Sequence, residues 1–212
     1  MTVLDLINII NTHNAKIVFD DLQDCADRVR RGEHLIYFTP VEGKERQKYE
    51  KTKSPKMTST TPTIHMPNIS IRELVNVYEC DGTGVFDVTK EMIKPFLYED
   101  ISFDVAYTTF LFLHEVGHWM QFEKVDRNIS LYVNADIDLE RENFDKVSEL
   151  KKQRDKRIKK GSTCVLTAKE KKLLRQYMLE YRNIPKEKDA DQLAIDNMKA
   201  ALELISKISK KS

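Results

Sequence analysis

Glycine is scarce in this chain, six in 212 residues, and cysteine is scarcer, with three. So few glycines in a chain that is 33% charged argue against a turn-rich β-sandwich and for helices with solvated faces. Cys25, Cys80 and Cys164 are odd in number, widely scattered and form no CxxC pair. They point neither to a thiolate zinc site nor to a disulfide framework, and a reduced, cytoplasmic protein is the expectation. An excess of either charge is also missing, since 35 Lys and Arg stand against 34 Asp and Glu. Nothing global therefore directs the chain to nucleic acid or to an anionic membrane. The longest strongly apolar run, Val105 to Leu113, has nine residues and stops at His114, about half of what a membrane span requires. Met1 to Ile10 is apolar but carries Asp5 and no basic stretch, so it reads as a helix of the domain and not as a signal peptide.

What is present suffices for a core: 41% of the residues are hydrophobic, and the length suits one domain spanning residues 1–212. The pattern predicts an α+β architecture that is mainly helical. Residues 1–100 mix strands and helices; residues 101–212 are helical, with a charged insertion at about 139–165. In the first part, residues 2–11 read as a helix, and Lys16 to Phe19 and His34 to Phe38 as short strands. Leu22 to Arg31 reads as an amphipathic helix ending at Gly32. Gly43 to Thr61 is polar and reads as a mobile loop. Thr63 to Met66 is a strand stopped by Pro67. Ser70-Ile-Arg-Glu73 matches a capping box opening a helix through Tyr78, and Asp81-Gly-Thr-Gly84 reads as a turn. In the second part, residues 103–123 are apolar nearly all round and predict a central, buried helix. Thr167-Ala-Lys-Glu170 is a second capping box, and Asn183-Ile-Pro185 breaks the chain before a last helix, with Pro suited to its first position.

One motif carries chemistry: His114-Glu115-Val116-Gly117-His118. Positions four apart on a helix share a face about one turn apart, so both imidazoles reach one metal ion. The Glu between them projects at an adjacent angle, where it can hold and deprotonate a metal-activated water, the arrangement of a zinc hydrolase. Two ordinary core histidines would instead leave two imidazoles and a carboxylate inside an apolar helix with no named partners.

A catalytic zinc needs a third protein ligand. Glu123 and Asp126 fall on the same helix or its exit and point away, whereas Asp136 and Asp138 can fold back and stay in reserve. The favoured residue is Glu187. The last helix carries an apolar stripe at Ala190, Ala194, Met198, Ala201, Ile205 and Ile208, and helical spacing extends it back to Glu187, with Asp191 one turn on. Two carboxylates thus head a buried face, where merely solvated charges do not belong. Glu187 as ligand and Asp191 orienting a ligating His make a sensible pair.

HEVGH followed by ExxxD resembles the zincin metallopeptidases of the gluzincin kind. Tyr181-Arg-Asn-Ile-Pro185-Lys-Glu187-Lys-Asp-Ala190-Asp191-Gln-Leu-Ala194 is similar to the second-motif helix of the ImmA/IrrE-type peptidases of phages, mobile elements and bacterial regulators. Ile64-His-Met-Pro67 ahead of HEVGHW is similar to the peptidase domain of ArdC-type antirestriction proteins. The resemblance covers about a hundred residues, Ile64 to Ala194. It implies a zincin-like fold, zinc held by His114, His118 and Glu187, Glu115 as the base, Asp191 behind the ligands, and a protein or peptide substrate inside the cell. The 68 residues between His118 and Glu187 must hold at least one extra helix.

A peptidase also needs an oxyanion donor and an edge strand to align substrate. Ile64 to Met66 is the expected edge strand. His65, Tyr107, Tyr132, Tyr177 and Tyr181 can each supply the donor, and the sequence ranks none of them. Lys151 to Lys160 holds seven Lys or Arg in ten positions. It reads as a solvated helix face paired with neighbours such as Glu149 and Asp155; the sharper alternative is a patch for nucleic acid or an acidic partner. The zinc peptidase is the function expected. The competing expectation is a regulatory or nucleic-acid-associated protein whose zinc site is structural or vestigial, against which the intact Glu115 argues.

Overall fold

Thr2 opens the first helix, α1 (Val3–Ile10), by accepting the Asp5 N–H while Asp5 accepts the Thr2 N–H. The computed structural model describes residues 1–21, 23, 25, 27–28, 34–81, 84–98, 100–159 and 167–209. The expected helix at Leu22 to Arg31 lies largely outside the described residues, as does the middle of the Asp81–Gly84 turn.

Three short strands follow the apolar runs: β1 (Ile17–Asp20), β2 (Tyr37–Thr39) and β3 (Thr63–Pro67). They form one sheet in the order β1-β3-β2. β1 lies parallel to β3, with Ile17 opposite Ile64, and β2 antiparallel, with Phe38 opposite Ile64. The expectation that Ile64 to Met66 forms the edge is therefore corrected. Ile64 and Met66 are fully buried, and a strand apolar on that scale sits where both of its hydrogen-bonding edges are paired. The exposed edges fall to β1 and β2.

The expected loop from Gly43 to Thr61 is also corrected in its first half. Gly43–Thr52 is a helix, α2. Its polarity hides a single anchor: Tyr49 is buried with Val41, Phe122, Ile129 and Tyr132 in a small second core. Glu45 ties the following segment down by accepting from the hydroxyls of Ser59, Thr60 and Thr61.

The helices α3 (Ile71–Asp81) and α4 (Val85–Ile93) come next. α3 opens with the anticipated box, Ser70 N–H to Glu73 and Glu73 N–H to the Ser70 hydroxyl. α5 (Phe103–Lys124), capped by Ser102, is the central helix and is buried on nearly all sides. The interval after it holds three helices: α6 (Ile129–Asn134), α7 (Ile137–Lys159) and α8 (Ala168–Arg182). The Thr167–Glu170 capping box opens α8 as expected.

α9 (Pro185–Ser209) is the main neighbour of α5. Ala190, Ala194, Met198, Ala201 and Ile205 form its buried stripe, while Ile208 is exposed. The two helices meet most closely at Gly117, where a Cβ would lie 2.7 Å from the Ala190 Cα. A glycine on one helix and an alanine on the other thus let the backbones touch, between Glu187 and Asp191 on α9 and inside the HEVGH turn on α5. The principal core runs from Val3 to Ile205 through α1, α3, α4, α5, α8 and α9. Among the described residues no helix is long and apolar enough to cross a membrane.

Candidate metal centre

α5 brings His114 and His118 onto one face with their Nε2 atoms 3.1 Å apart and their rings at 87°. α9 presents Glu187 to the same point: its Oε2 lies 3.3 Å from His114 Nε2 and 3.4 Å from His118 Nε2. These three buried side chains form the one His/Cys/Asp/Glu group among the described residues able to hold a metal ion. A tetrahedral shell with bonds of about 2.0–2.1 Å has edges of about 3.3 Å, so the spacing fits an ion at the centre.

The outward atoms of the triad are tied back. His114 Nδ1 is 2.9 Å from Asp191 Oδ1, and His118 Nδ1 is 3.1 Å from Gln121 Oε1. Each ring therefore donates from Nδ1 and keeps its Nε2 lone pair for the centre. Gln121 is fixed in turn by donating to the Lys186 carbonyl at 2.7 Å. Asp191 Oδ1 also accepts from Arg182 Nη1 at 2.5 Å, and the same guanidinium reaches the Thr89 hydroxyl. Glu187 Oε2, by contrast, is buried with no hydrogen-bond partner among the described residues. An orphaned buried carboxylate oxygen beside two imidazole lone pairs is what a cation site leaves behind. Charge says the same. With both imidazoles neutral, as metal ligation requires, Glu115, Glu187 and Asp191 against Arg182 would leave −2, which a divalent ion neutralises.

The titration behaviour of the metal-free site follows from this crowding. Burial pulls the Glu187 carboxyl up, but His118 and His114 outweigh it and hold the group well below the usual range. Burial and Arg182 depress His114, yet its hydrogen bond to Asp191 and the Glu187 carboxylate beside it raise it to about 9. Burial raises Glu115, opposed by the two histidines and the Phe38 N–H.

Glu115 stands at the open side. Its Oε2 accepts the Phe38 N–H of β2 at 2.8 Å, so the edge strand itself holds the carboxylate. Around it lies a cleft of about 590 Å³ whose lining includes Tyr37 and Phe38 of β2 and Arg141 and Phe144 of α7. Its lining also includes the apolar side chains of Ile36, Val85, Leu111 and Met178 and the Tyr78 ring.

Residues weighed from the sequence divide cleanly. Asp136 accepts the Lys186 N–H at 3.1 Å, capping the start of α9, and Asp138 is exposed beside Arg141. Glu123 is paired with Arg127 at 2.9 Å, and Asp126 sits in the turn after α5 at a φ of 52°. None of the four joins the triad. His65 is held between Asp20 and Glu42 beneath the Tyr37 ring, away from the cleft. Tyr107 is in the core, and Tyr177 lies with Lys146 above its ring. Tyr132 and Tyr181 line the cleft. α7 carries the basic run as far as Lys159; apart from Lys152 and Gln153, which are exposed, its side chains lie outside the described residues.

Sequence reasoning missed Gly117, Gln121, Arg182 and Phe38. Gly117 left a signal, since a mid-helix glycine costs about 1 kcal/mol against alanine and needs a packing reason. Gln121 sits one turn after His118, the spacing at which helical side chains meet. Arg182 and Phe38 act from elements whose placement no local pattern encodes. No family model, no curated protein and no solved structure matches the chain.

Proposed function

We propose that the chain is a zinc-dependent metallopeptidase of the gluzincin kind, akin to the ImmA/IrrE-type peptidases, that cleaves a protein inside the cell. The observation that carries this reading is the convergence of His114 Nε2, His118 Nε2 and Glu187 Oε2 beside a fourth carboxylate, Glu115, on a cleft bordered by a strand edge. Two imidazoles and one carboxylate suit zinc, whereas calcium and magnesium prefer shells of oxygen. A structural zinc site is closed by four protein ligands; three ligands facing a cleft favour a catalytic one.

When bound, zinc supplies Lewis acidity and brings the pKa of a water toward 7. The protein's part starts with Glu115. One carboxylate oxygen is anchored by the Phe38 N–H, which leaves the other to take the proton of the attacking water and return it to the leaving amine. Asp191 and Gln121 fix the ring orientation of the two histidines, so the ligand set is preorganised. β2 borders the cleft, with the Phe38 N–H committed to Glu115 and the neighbouring Ile36 N–H to the Tyr78 hydroxyl, so an extended peptide lying along it would be met by the remaining carbonyl groups of the strand. The apolar part of the cleft lining favours a substrate with a bulky apolar side chain.

The test is elemental analysis of purified protein beside a peptide-library digest. One zinc per chain, with cleavage that Glu115→Gln abolishes while zinc is retained, supports the reading. No zinc after zinc is supplied, or cleavage indifferent to Glu115→Gln, refutes it.

A further inference from the structure

We propose that Tyr132 is the catalytic residue that donates a hydrogen bond to the substrate oxyanion, an assignment that rests on the peptidase reading above. Peptide hydrolysis forms a bond from the water oxygen to the carbonyl carbon and moves the carbonyl π pair onto oxygen. The proton goes to Glu115. The C–N bond then breaks, its electron pair stays on nitrogen, and Glu115 returns the proton there. Charge peaks on the former carbonyl oxygen, and a fixed donor aimed at it from the cleft wall accelerates the reaction.

Four tyrosines line the cleft, and Tyr132 is the one whose hydroxyl is uncommitted among the described residues, since Tyr37 is engaged by Arg28, Tyr78 by the Ile36 N–H and Tyr181 by Glu187. Tyr132 lines the cleft and its ring is wedged edge-on between Phe38 and Phe122, with centroids 5.6 and 5.3 Å away. Phe38 is the residue whose N–H holds Glu115, and Phe122 lies one helical turn beyond His118. The phenol is thus pinned between β2, whose backbone holds Glu115, and α5, which carries Glu115 and both histidines. Its hydroxyl makes no hydrogen bond among the described residues, yet it is not sealed among the buried orphan atoms.

Of the remaining polar groups on the cleft, three are engaged elsewhere, and His34 is the rival that the His34→Ala comparison addresses. Tyr181 hydrogen-bonds Glu187. Lys186, whose Nζ lies 5.0 Å above the Tyr132 ring, is paired with Glu140. Arg182 is engaged by Asp191 and Thr89. Burial, with the charges of Glu115, Glu187 and Glu140, lifts the Tyr132 phenol well above its usual range, so it stays a donor throughout the working pH.

The test takes a quenched-fluorescent peptide that the wild-type protein cleaves, and a phosphonamidate of the same sequence as a tetrahedral mimic. Tyr132→Phe keeps the ring packing and removes only the donor. The expected result is a kcat lower by about 10²–10³-fold, a KM within threefold, and unchanged zinc content and melting temperature. Affinity for the phosphonamidate should fall in parallel with kcat while affinity for the uncleaved peptide, measured on the Glu115→Gln background, does not. Tyr181→Phe and His34→Ala serve as comparisons. A kcat within threefold of wild type in Tyr132→Phe, or a large loss confined to His34→Ala, overturns the assignment and leaves the peptidase reading standing. Failure of the wild type to cleave any library peptide removes that reading and the assignment together.

Discussion

Gly117→Ala offers the sharpest separation of metal binding from folding. The new Cβ would lie 2.7 Å from the Ala190 Cα, 3.0 Å from its Cβ and 3.1 Å from its carbonyl oxygen. Those are largely backbone atoms, so no side chain can swing aside. Restoring ordinary carbon contact near 3.5–4.0 Å requires α5 and α9 to part by about 1 Å. Glu187 and Asp191 flank Ala190 on α9, whereas His114 and His118 flank Gly117 on α5, so the displacement falls on the ligand triangle itself. Metal–ligand distances tolerate about ±0.2 Å. The folding cost is smaller, because overpacking of about 1–3 kcal/mol is offset by about 1 kcal/mol of helix propensity gained on replacing glycine. The metal-free variant should therefore lose about 0–2 kcal/mol of stability while zinc affinity falls by about 100-fold or more, beyond the loss typical of a supporting hydrogen bond. Chelator-stripped protein titrated with zinc in a calorimeter, beside a thermal melt of the same sample, measures both. Zinc affinity within threefold of wild type would refute the argument, since the helices would then have absorbed the methyl without moving the ligands.

Further outcomes follow from the same geometry. Glu187→Ala should bind substoichiometric zinc by elemental analysis, and full occupancy would move the third ligand elsewhere. Asp191→Asn should cost the metal-free fold about 3–5 kcal/mol in denaturant melts, because the buried Arg182 guanidinium loses its carboxylate, and should lower zinc affinity by about 10–100-fold. The sign of the pH effect is set by His114, raised from 6.5 to about 9 in the metal-free protein. Its contribution to metal-free stability is complete below 6.5 and is lost as the pH climbs through 9. Zinc must displace that proton, so its affinity should rise over the same interval, with a proton released per ion in calorimetry across buffers of different ionisation enthalpy. Equal zinc affinity at pH 6.5 and 9 would contradict it.

How far the sequence could be read depended on whether a feature was local. The capping boxes at Ser70 and Thr167 and the i, i+4 histidines formed as expected because their partners lie within one turn. Glu187 was found at a distance only because α9 is a regular helix, so its apolar stripe reports which residues share the face that His114 meets. Strand order had no such carrier: three runs of three to five residues look alike in composition, and only tertiary pairing decides that β3 is central. α2 escaped because one tyrosine anchors a ten-residue helix whose other positions are polar. Arg182 escaped for a deeper reason. Its partner Asp191 is nine residues away, across the break at Asn183-Ile-Pro185, and periodicity within either helix says nothing about the angle at which the two are joined. A buried guanidinium is costly unless paired, so its appearance beside Asp191 shows that the α8–α9 corner is part of the site's construction. The corner aligns a positive charge with the carboxylate that hydrogen-bonds His114, and a change in the length of the two-residue break at Asn183-Ile184 would disturb the His114, His118 and Glu187 triad as surely as a substitution within it.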